Sequence, residues 1–302
     1  MKIKHCTVLL ILLPVILLIS ACSDSESKSL SNPKWEEYQH IYKTSVQYTG
    51  ENESTAKYLE IAERSANLFP LLEENVNAFV MDAYNYQVMD DEGTLLYTMN
   101  GMDYPQEIDP NGQCIRVSKN YFLYNPIKTE DGSELSELIV YDDLTLNILV
   151  PVQYRDMEEQ ILEAYRERFY FEKVKAANDY NNMAGIDDVL DISQEDLTVN
   201  IIYVQDGQKY FTFRSDCAVL TDNWIEDPVV MIYTANIHCN YAHSFMSQWL
   251  YFYSDKDNAE DAYQDIVPYI KQCGAENSIQ KVFSVFQPTI KEVSPADSEL
   301  VE

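Results

Sequence analysis

The first 22 residues of the chain decide which part of it can fold in water. Two lysines among the first four residues precede an apolar run over residues 7–19, and the small residues Ser20 and Ala21 follow that run. A basic start, an apolar middle and a small-residue exit are the three parts of a secretory signal peptide. We therefore interpret residues 1–21 as a lipoprotein signal peptide and expect the folded domain to begin after it.

The exit of this leader, Ile19-Ser20-Ala21-Cys22, resembles the bacterial lipobox. In that family the cysteine thiol receives a diacylglyceryl group, and cleavage then leaves the cysteine as the first residue. The resemblance implies that Cys22 is the site of lipid attachment and that the protein is extracytoplasmic, anchored to the bacterial cell membrane. Two acyl chains suffice for stable anchoring, because each buried CH₂ contributes about 0.8 kcal/mol.

A transmembrane anchor is the alternative interpretation of the leader. Its uncharged stretch, residues 5–22, lies at the lower limit of a membrane span, which needs about 18–20 apolar residues. Pro14 in the middle of the stretch and the small-residue exit both favour a signal peptide. Residues 22–45 open with a polar, low-complexity run, so we interpret them as the lipidated cysteine and a flexible tether.

The remaining chain is long enough and strongly acidic enough to narrow its class. The 302 residues suit one large domain or two small ones, and we expect an extracytoplasmic domain over residues 46–290 and an acidic tail over 291–302. The net charge of −29 repels nucleic acid and anionic lipid. It suits a basic partner, such as a cationic peptide, or solubility alone.

Four cysteines follow the lipidated one. Cys114, Cys217, Cys239 and Cys273 could form two disulfides outside the cytoplasm, with three connectivities open to them. An anaerobic source would leave them reduced. Their spacing matches no common disulfide scaffold, so the sequence leaves both their redox state and their pairing open.

Three stretches have the apolar spacing of helices. They are residues 54–69, 156–177 and 259–271. Ser54 is the expected N-cap of the first helix, which Pro70 should stop or bend. Asp156 and Glu159 form a capping-box pattern at the start of the second helix. Pro268 should kink the third or break its end.

Strand-like segments come before, between and after these helices. They cover residues 76–86, 94–99, 114–124, 138–150, 197–205, 208–214, 229–237, 245–253 and 279–286. The dipeptide Asp206-Gly207 is preferred in two-residue type I′ turns, so we expect a hairpin over residues 197–214. The order of elements predicts an α+β fold with mixed or antiparallel sheets. We expect about three helices in total, packed so that each sheet is covered on one face.

One short sequence occurs twice. Residues 143–148 read DLTLNI and residues 196–201 read DLTVNI. Equivalent strand starts in a duplicated unit would explain the repeat, and chance similarity between two strands would explain it equally well.

Motifs of known chemistries are missing from the sequence. It has only 8 glycines and neither a GxGxxG nor a Walker loop, so we expect no nucleotide site. It also has no GxSxG elbow and no HExxH motif. Acid pairs such as Asp187-Asp188 could support glycoside hydrolysis, although so many acids form such pairs by chance.

Two clusters contain metal-ligand residue types. His238, Cys239 and His243 could bind zinc if Cys217 approached them, but no paired CxxC accompanies them. The acids of residues 255–261 resemble a calcium loop, yet a glutamate occupies the sixth position, where glycine is needed. A solvated loop and helix capping explain the two clusters better, so we expect no metal and no cofactor.

Six segments of the sequence together carry a family resemblance. They are residues 75–85 (NVNAFVMDAYN), 112–127 (GQCIRVSKNYFLYNPI), 145–154 (TLNILVPVQY), 207–213 (GQKYFTF), 227–230 (DPVV) and 261–263 (DAY). In this order they resemble the extracytoplasmic domain of Gram-positive bacteriocin-associated membrane proteins, which are ABC permeases similar to the MacB/FtsX type. The resemblance covers about residues 45–288.

This resemblance implies a fold, a role and a set of partners. The fold is a MacB-like α+β periplasmic core, and the role is export, immunity or sensing beside an ABC transporter that handles peptides. The family brings no catalytic residues. Its permeases carry several membrane spans that this sequence lacks, which implies an accessory subunit, a peptide-binding decoy or a degenerate relic rather than a permease.

The sequence therefore predicts a non-enzymatic, surface-tethered lipoprotein associated with an ABC transporter in bacteriocin export, immunity or sensing. Its expected partners are the membrane, an ABC permease and ATPase, and a cationic peptide, but not nucleic acid. A solute- or polysaccharide-binding lipoprotein is the alternative, and it would use a cleft lined by some of the 23 tyrosines. A secreted hydrolase with an unrecognised acid pair is a third.

Overall fold

The computed structural model describes residues 33–46, 54–89 and 93–285. The predicted signal peptide, the lipid attachment site Cys22 and the acidic tail lie outside these residues. All described residues belong to one structural unit of the chain. Within it, no helix has both the length and the apolarity that crossing a membrane requires.

Ten strands form the centre of the described chain. They are β1 (Ile41–Ser45), β2 (Phe79–Asp82), β3 (Cys114–Ser118), β4 (Thr145–Pro151), β5 (Thr198–Val204), β6 (Lys209–Phe211), β7 (Trp224–Glu226), β8 (Val229–Tyr233), β9 (Leu250–Tyr253) and β10 (Lys281–Ser284). Eight of them form one sheet in the order β10-β1-β9-β2-β3-β8-β4-β5, and β6 pairs with β7. The β3–β8 and β4–β5 pairs are parallel, and the other pairs of the large sheet are antiparallel.

Seven α-helices accompany these strands in the described residues. They are α1 (Pro33–Glu37), α2 (Thr55–Asn75), α3 (Leu135–Leu138), α4 (Glu158–Tyr170), α5 (Ala176–Ala184), α6 (Cys239–Gln248) and α7 (Ala259–Cys273). A π-helical turn, Phe171–Lys175, joins α4 to α5. A large mixed sheet with several packed helices confirms the predicted α+β class.

The sheet separates two apolar clusters, because successive side chains of a strand point to opposite faces. In β8, Val230 and Ile232 belong to the larger cluster, whereas Val229 and Met231 belong to the smaller one. Helices α2, α6 and α7 bury residues in the larger cluster, and α4 buries residues in the smaller one. One sheet is thus covered on both faces, and the prediction of sheets covered on one face each was wrong.

The folded part of the chain begins earlier than the sequence indicated. Residues 33–45, which we assigned to the flexible tether, form α1 and β1. Strand β1 lies between β9 and β10, and its Ile41 and Tyr42 are each 1% exposed. Its five residues are too few to show a clear period, so only its partners in the sheet reveal it.

The predicted hairpin over residues 197–214 is wrong. Strand β5 pairs in parallel with β4 along its whole length, while β6 pairs with β7. Among the described residues with positive φ, Gly207 is present and Asp206 is not, although a type I′ turn needs both. The backbone N–H groups of Gly207 and Gln208 instead donate to the Asp227 carboxylate at 2.8 and 2.9 Å.

The predicted helices are present, but their ends differ. Ser54 caps α2 as expected, by accepting a hydrogen bond from the Lys57 N–H, yet the helix continues past Pro70 to Asn75. Pro268 likewise lies inside α7. The capping box at residues 156–159 does not form, since the helix begins from a 3₁₀ turn with Met157 at its cap position. Buried apolar side chains outweigh one missing helical hydrogen bond.

Several predicted strands are shorter than expected or partly helical. The segment 114–124 is a strand only as far as Ser118, and the segment 138–150 only from Thr145. Residues 245–253 contain the end of α6 followed by β9 rather than one strand. Apolar runs of this length do not distinguish a strand from a buried helix, so tertiary packing decided them.

Candidate functional site

A π-helical turn interrupts the long helix that covers the smaller cluster. The backbone N–H of Ala176 donates to the carbonyl of Phe171, five residues earlier, which is the hydrogen bond of a π-helix. Such turns add one residue and occur often at functional sites. Here the turn buries two charged residues, Glu172 and Lys173.

The first of these residues forms an ion pair with the sheet. Arg116 lies in the middle of β3, and its Nη2 donates to Glu172 Oε1 at 2.7 Å and Oε2 at 2.6 Å. The two residues are 5% and 1% exposed, respectively. A buried ion pair needs close geometry and further hydrogen bonds to balance the loss of hydration, and this pair has the close geometry.

A second guanidinium group shares the same carboxylate. The Arg168 Nε, one helical turn before Glu172, donates to Glu172 Oε1 at 2.6 Å. Burial alone would raise the pKa of Glu172, but the two neighbouring guanidinium groups outweigh it and hold that pKa below its ordinary value. Glu172 is therefore ionised at neutral pH. Arg116, Arg168 and Glu172, which we call the arginine cluster, together carry a net positive charge.

The other buried charge of the turn is fully engaged elsewhere. The Lys173 Nζ donates to the Asn236 carbonyl at 2.9 Å and pairs with the Asp143 carboxylate at 2.8 Å. The Glu172 carbonyl accepts from the His238 N–H at 3.1 Å. These contacts hold the π turn against neighbouring loops. They also direct the Lys173 ammonium group away from the arginine cluster, so it donates no hydrogen bond there.

A partly open cavity of about 240 Å³ lies beside the arginine cluster. Its wall includes both guanidinium-bearing side chains, one acid and several aromatic residues. The members that matter for its chemistry are Asp82, Tyr84, Arg116, Arg168, Tyr241 and Trp249. A small concave site with a few converging polar groups and an aromatic wall is the usual form of a ligand site.

The donors of Arg116 are only partly used. All of its hydrogen bonds come from Nη2, and its Nε and Nη1 have no hydrogen-bond partner among the described residues. Its guanidinium carbon lies 5.8 Å from the Tyr241 ring centroid and 5.7 Å from that of Phe245. Arg116 is thus a buried cation on a cavity wall with donors to spare.

Asp82 brings a second carboxyl group to the same wall. Burial raises the pKa of this carboxyl, although Arg116 and the hydrogen bond from the Tyr84 N–H act in the opposite direction. Asp82 is also paired with Arg116 in the register of β2 and β3. The cavity therefore contains an acid that takes up a proton more readily than a solvated aspartate.

A larger cavity exists but lacks such chemistry. It measures about 630 Å³ and is lined by residues from 119–141 together with Gln205. Its cationic groups are on the surface: Lys119 pairs with Glu73 at 3.0 Å, and Lys128 is exposed. With no buried ionic group on its wall, it is a weaker candidate than the cavity beside Arg116.

The four cysteines that could have formed disulfides are free thiols in the structure. Cys114 and Cys217 are buried, whereas Cys239 and Cys273 are half-buried. Burial raises the pKa of Cys114 and of Cys239 to about 11, so both thiols are protonated at neutral pH. Cys114 lies on the wall of the cavity beside Arg116, and Cys22 lies outside the described residues.

The residue clusters considered for metal binding have other contacts. The Cys239 Sγ lies 3.7 Å from His238 Nε2, but His243 turns to the Ser65 hydroxyl at 3.1 Å. In the segment 255–261, which resembles a calcium loop, Asn258 and not an acid caps α7, by accepting from the Asp261 N–H. Across the described residues, no three His, Cys, Asp or Glu side chains are grouped so that they could hold a metal ion.

Sequence reasoning missed Arg116, Arg168 and Glu172. One signal was available, since Arg116 is a lone charge in the buried strand Cys114–Ser118, and such a charge requires a partner. Its partner could not be named, because Glu172 is 56 positions away and is buried only through the π turn.

Comparisons with known proteins do not assign the chain to a family. No family model, curated protein or solved structure matches the chain, so the resemblance of the six segments to bacteriocin-associated permeases stays a prediction.

Proposed function

We propose that the chain is a lipid-tethered, non-enzymatic extracytoplasmic binding protein that works beside an ABC transporter in the export, immunity or sensing of bacteriocins or other antimicrobial peptides. The leader with Cys22 supports the tether, and the six family-like segments support the transporter. The mixed sheet with helices on both faces is compatible with a MacB-like ectodomain.

The observation that carries the binding role is the cavity beside Arg116. Guanidinium donors that have no protein partner on a cavity wall are satisfied by water or by a ligand. A ligand that enters the cavity can accept hydrogen bonds from these donors, and water can accept them when the ligand has left. No reaction is needed to explain the arrangement, so binding is the simplest function for it.

A surface segment supports the cationic peptide as a partner. From the last turn of α5 onward the chain exposes four apolar side chains within eight residues, and three aspartates lie among or directly after them. The apolar residues are Met183, Ile186, Val189 and Leu190, and the acids are Asp187, Asp188 and Asp191. Side chains that offer both apolar contact and negative charge suit an amphipathic cationic peptide.

This acidic–apolar segment, residues 183–191, is held in place rather than left loose. The Asn178 side chain donates to the Leu190 carbonyl at 3.2 Å and accepts from the Leu190 N–H at 2.8 Å. The Asn181 side chain donates to the Asp188 carbonyl at 2.9 Å. A segment ordered before binding loses less entropy when a partner docks.

Cross-linking in native membranes tests the proposed function. The wild-type protein should capture an ABC permease and its ATPase, identified by mass spectrometry. The Cys22→Ser variant, which lacks the acyl acceptor, is the matched control and should capture neither. Recovery of no transporter component with the wild-type protein would contradict the transporter role.

The acidic–apolar segment has its own test. A fluorescently labelled helical peptide of leucine and lysine should bind the wild-type protein more tightly than the Asp187→Asn/Asp188→Asn variant. The Glu134→Gln/Glu137→Gln variant removes the same charge from exposed positions elsewhere and should bind like the wild type. Equal loss in both variants would attribute the effect to net charge alone.

A solute-binding lipoprotein is the second candidate function, and the aromatic wall of the same cavity favours it. Tyr84, Tyr241 and Trp249 lie beside the two arginines, as expected for a site that holds one small molecule. In that case the protein would bind a small solute with no transporter component at its side, and the cross-linking experiment separates the two functions.

A further inference from the structure

We propose that the cavity beside Arg116 and Arg168 is a carboxylate-binding site, and that its ligand is an organic acid with an aromatic or apolar group next to the carboxylate. That the protein binds a ligand at all rests on the proposed function. The chemical class of the ligand is inferred from the residues that line the cavity. The carboxylate belongs either to a small free acid or to the carboxyl terminus of a peptide.

The arginine cluster has two positive charges and one negative charge. Two guanidinium groups share the single carboxylate of Glu172, with contacts of 2.6 and 2.7 Å. Asp82 could supply the missing negative charge, but burial raises its pKa and so opposes its ionisation. A carboxylate that binds in the cavity would complete two ion pairs for two arginines.

The free donors are of the kind that carboxylates prefer. A guanidinium N–H that donates to a carboxylate oxygen forms a charge-assisted hydrogen bond, which is stronger than one between neutral groups. Arg116 retains Nε and Nη1, and Arg168 retains Nη2, without a hydrogen-bond partner in the described part of the chain. Arg116 is 95% buried, so a charge-assisted hydrogen bond to it is formed away from water, where it is strong.

A purely structural role explains less of the site. A structural ion pair would use its donors on protein acceptors and would leave no cavity at the guanidinium. Here the cavity is large enough for several non-hydrogen atoms, and the buried cation lies on its wall. The unfilled space and the unused donors occur at the same place, and a bound anion accounts for both.

The rest of the wall selects among anions. Arg116 and Arg168 already share the negative charge of Glu172, so a monoanion balances the remaining positive charge, whereas a dianion such as phosphate exceeds it. A monoanionic carboxylate can instead share a proton with Asp82. Tyr84, Phe245 and Trp249 then provide the apolar side of the cavity for the group that follows the carboxylate.

The long-range charge of the protein does not prevent this binding. The net charge of −29 acts over the whole surface, but at physiological salt it is screened beyond about 8 Å. Inside the cavity the nearest charges are those of the two arginines. We therefore expect binding of the acid to weaken only moderately when salt is lowered.

Calorimetric titration of the full chain with N-acetyl-L-phenylalanine and with N-acetyl-L-phenylalaninamide tests the proposal. The two probes differ only in the carboxylate, so the acid should bind about 10- to 100-fold more tightly than the amide. Equal affinities of the acid and the amide for the wild-type protein would overturn the proposal. So would a failure of every carboxylate probe, the peptide included, to bind. The wild-type protein suffices for this comparison, so it does not depend on any variant folding.

Variants locate the binding in the cavity. Arg168 is 30% exposed on its side chain, and Arg168→Gln should fold and bind the acid at least about tenfold more weakly. Arg155→Gln removes a guanidinium that pairs with Glu130 outside the cavity and should bind like the wild type. Unchanged affinity in Arg168→Gln, with a circular dichroism spectrum like that of the wild type, would contradict the site.

Two further arms identify the source of the carboxylate. A hexapeptide ending in phenylalanine with a free carboxyl terminus should bind more tightly than N-acetyl-L-phenylalanine if the ligand is a peptide end, and more weakly if it is a small acid. Inorganic phosphate should not compete with either probe. Competition by phosphate at equal concentration would show a general anion site and contradict the selection of a monoanion. These titrations need no transporter, so their failure is distinct from failure of the cross-linking experiment.

Discussion

Asn147 and Asn200 face each other on the parallel strands β4 and β5, and the Asn200 Nδ2 donates to the Asn147 Oδ1 at 2.9 Å. The two asparagines occupy the same place in the repeated sequences 143–148 and 196–201. The repeat therefore corresponds to two neighbouring strands in matching register, from Thr145 opposite Thr198 to Ile148 opposite Ile201.

Replacing Asn147 should unfold the protein more easily. The side chain is fully buried, and it also accepts from the Val140 N–H and donates to the Val140 carbonyl, both at 2.8 Å. Asn147→Ala should lower the free energy of unfolding by about 2–4 kcal/mol, since several polar groups lose their partners. Urea denaturation measures this, and Asn182→Ala, at an exposed helical position, should change it by less than about 0.5 kcal/mol.

Replacing Glu172 should be equally damaging at neutral pH. Glu172→Gln leaves Arg116 and Arg168 without their shared counter-charge, which should lower the free energy of unfolding by about 3–5 kcal/mol. Glu159→Gln, an exposed acid of the same helix, is the control and should have little effect. If Glu172→Gln lowers the free energy of unfolding no more than the control does, the Glu172 carboxylate does not stabilise the two arginines as proposed.

The pH dependence of that loss has a defined sign. The folded state lowers the pKa of Glu172 below its ordinary value of 4.5, so its stabilising contribution is complete above pH 4.5 and declines as the pH falls through the folded pKa. The difference in urea midpoint between wild type and Glu172→Gln should therefore shrink in acid. A difference that grows below pH 4.5 would contradict this assignment.

Asp82 should show the opposite pH dependence. Its pKa is raised above the ordinary value of 3.8, so the folded state binds the proton more tightly and is destabilised as the pH rises through 3.8 and beyond. Asp82→Asn keeps an oxygen for the Tyr84 N–H and should raise the melting temperature at pH 7 by about 2–4 °C, the shift that 1 kcal/mol produces in a domain of this size. The gain should vanish at pH 3, as scanning calorimetry would show.

The lipid anchor is tested at Cys22. Radiolabelled palmitate should enter the wild-type protein in bacterial cells and should not enter the Cys22→Ser variant, because a serine hydroxyl does not accept the diacylglyceryl group. Replacement of Cys273, a half-buried thiol, by serine should leave the labelling unchanged. Labelling of the Cys22→Ser variant, or no labelling of the wild type, would refute the predicted anchor.

Local signals in the sequence determined the elements whose stabilising contacts are close along the chain. Ser54 caps α2 because its hydroxyl reaches the Lys57 N–H three residues on. The apolar face of the second helix, with Ile161, Tyr165 and Phe169, is buried as its spacing predicted. The α+β class follows from the order of such elements.

The tertiary structure alone decided the strand partners and the candidate site. The Asp206-Gly207 signal favoured a local hairpin, but β5 gains a full ladder of hydrogen bonds from β4, 53 positions earlier. Arg116 and Glu172 are 56 positions apart and meet only because the sheet and the π turn bring them together. Contacts between distant residues depend on the fold as a whole, so no short sequence pattern records them.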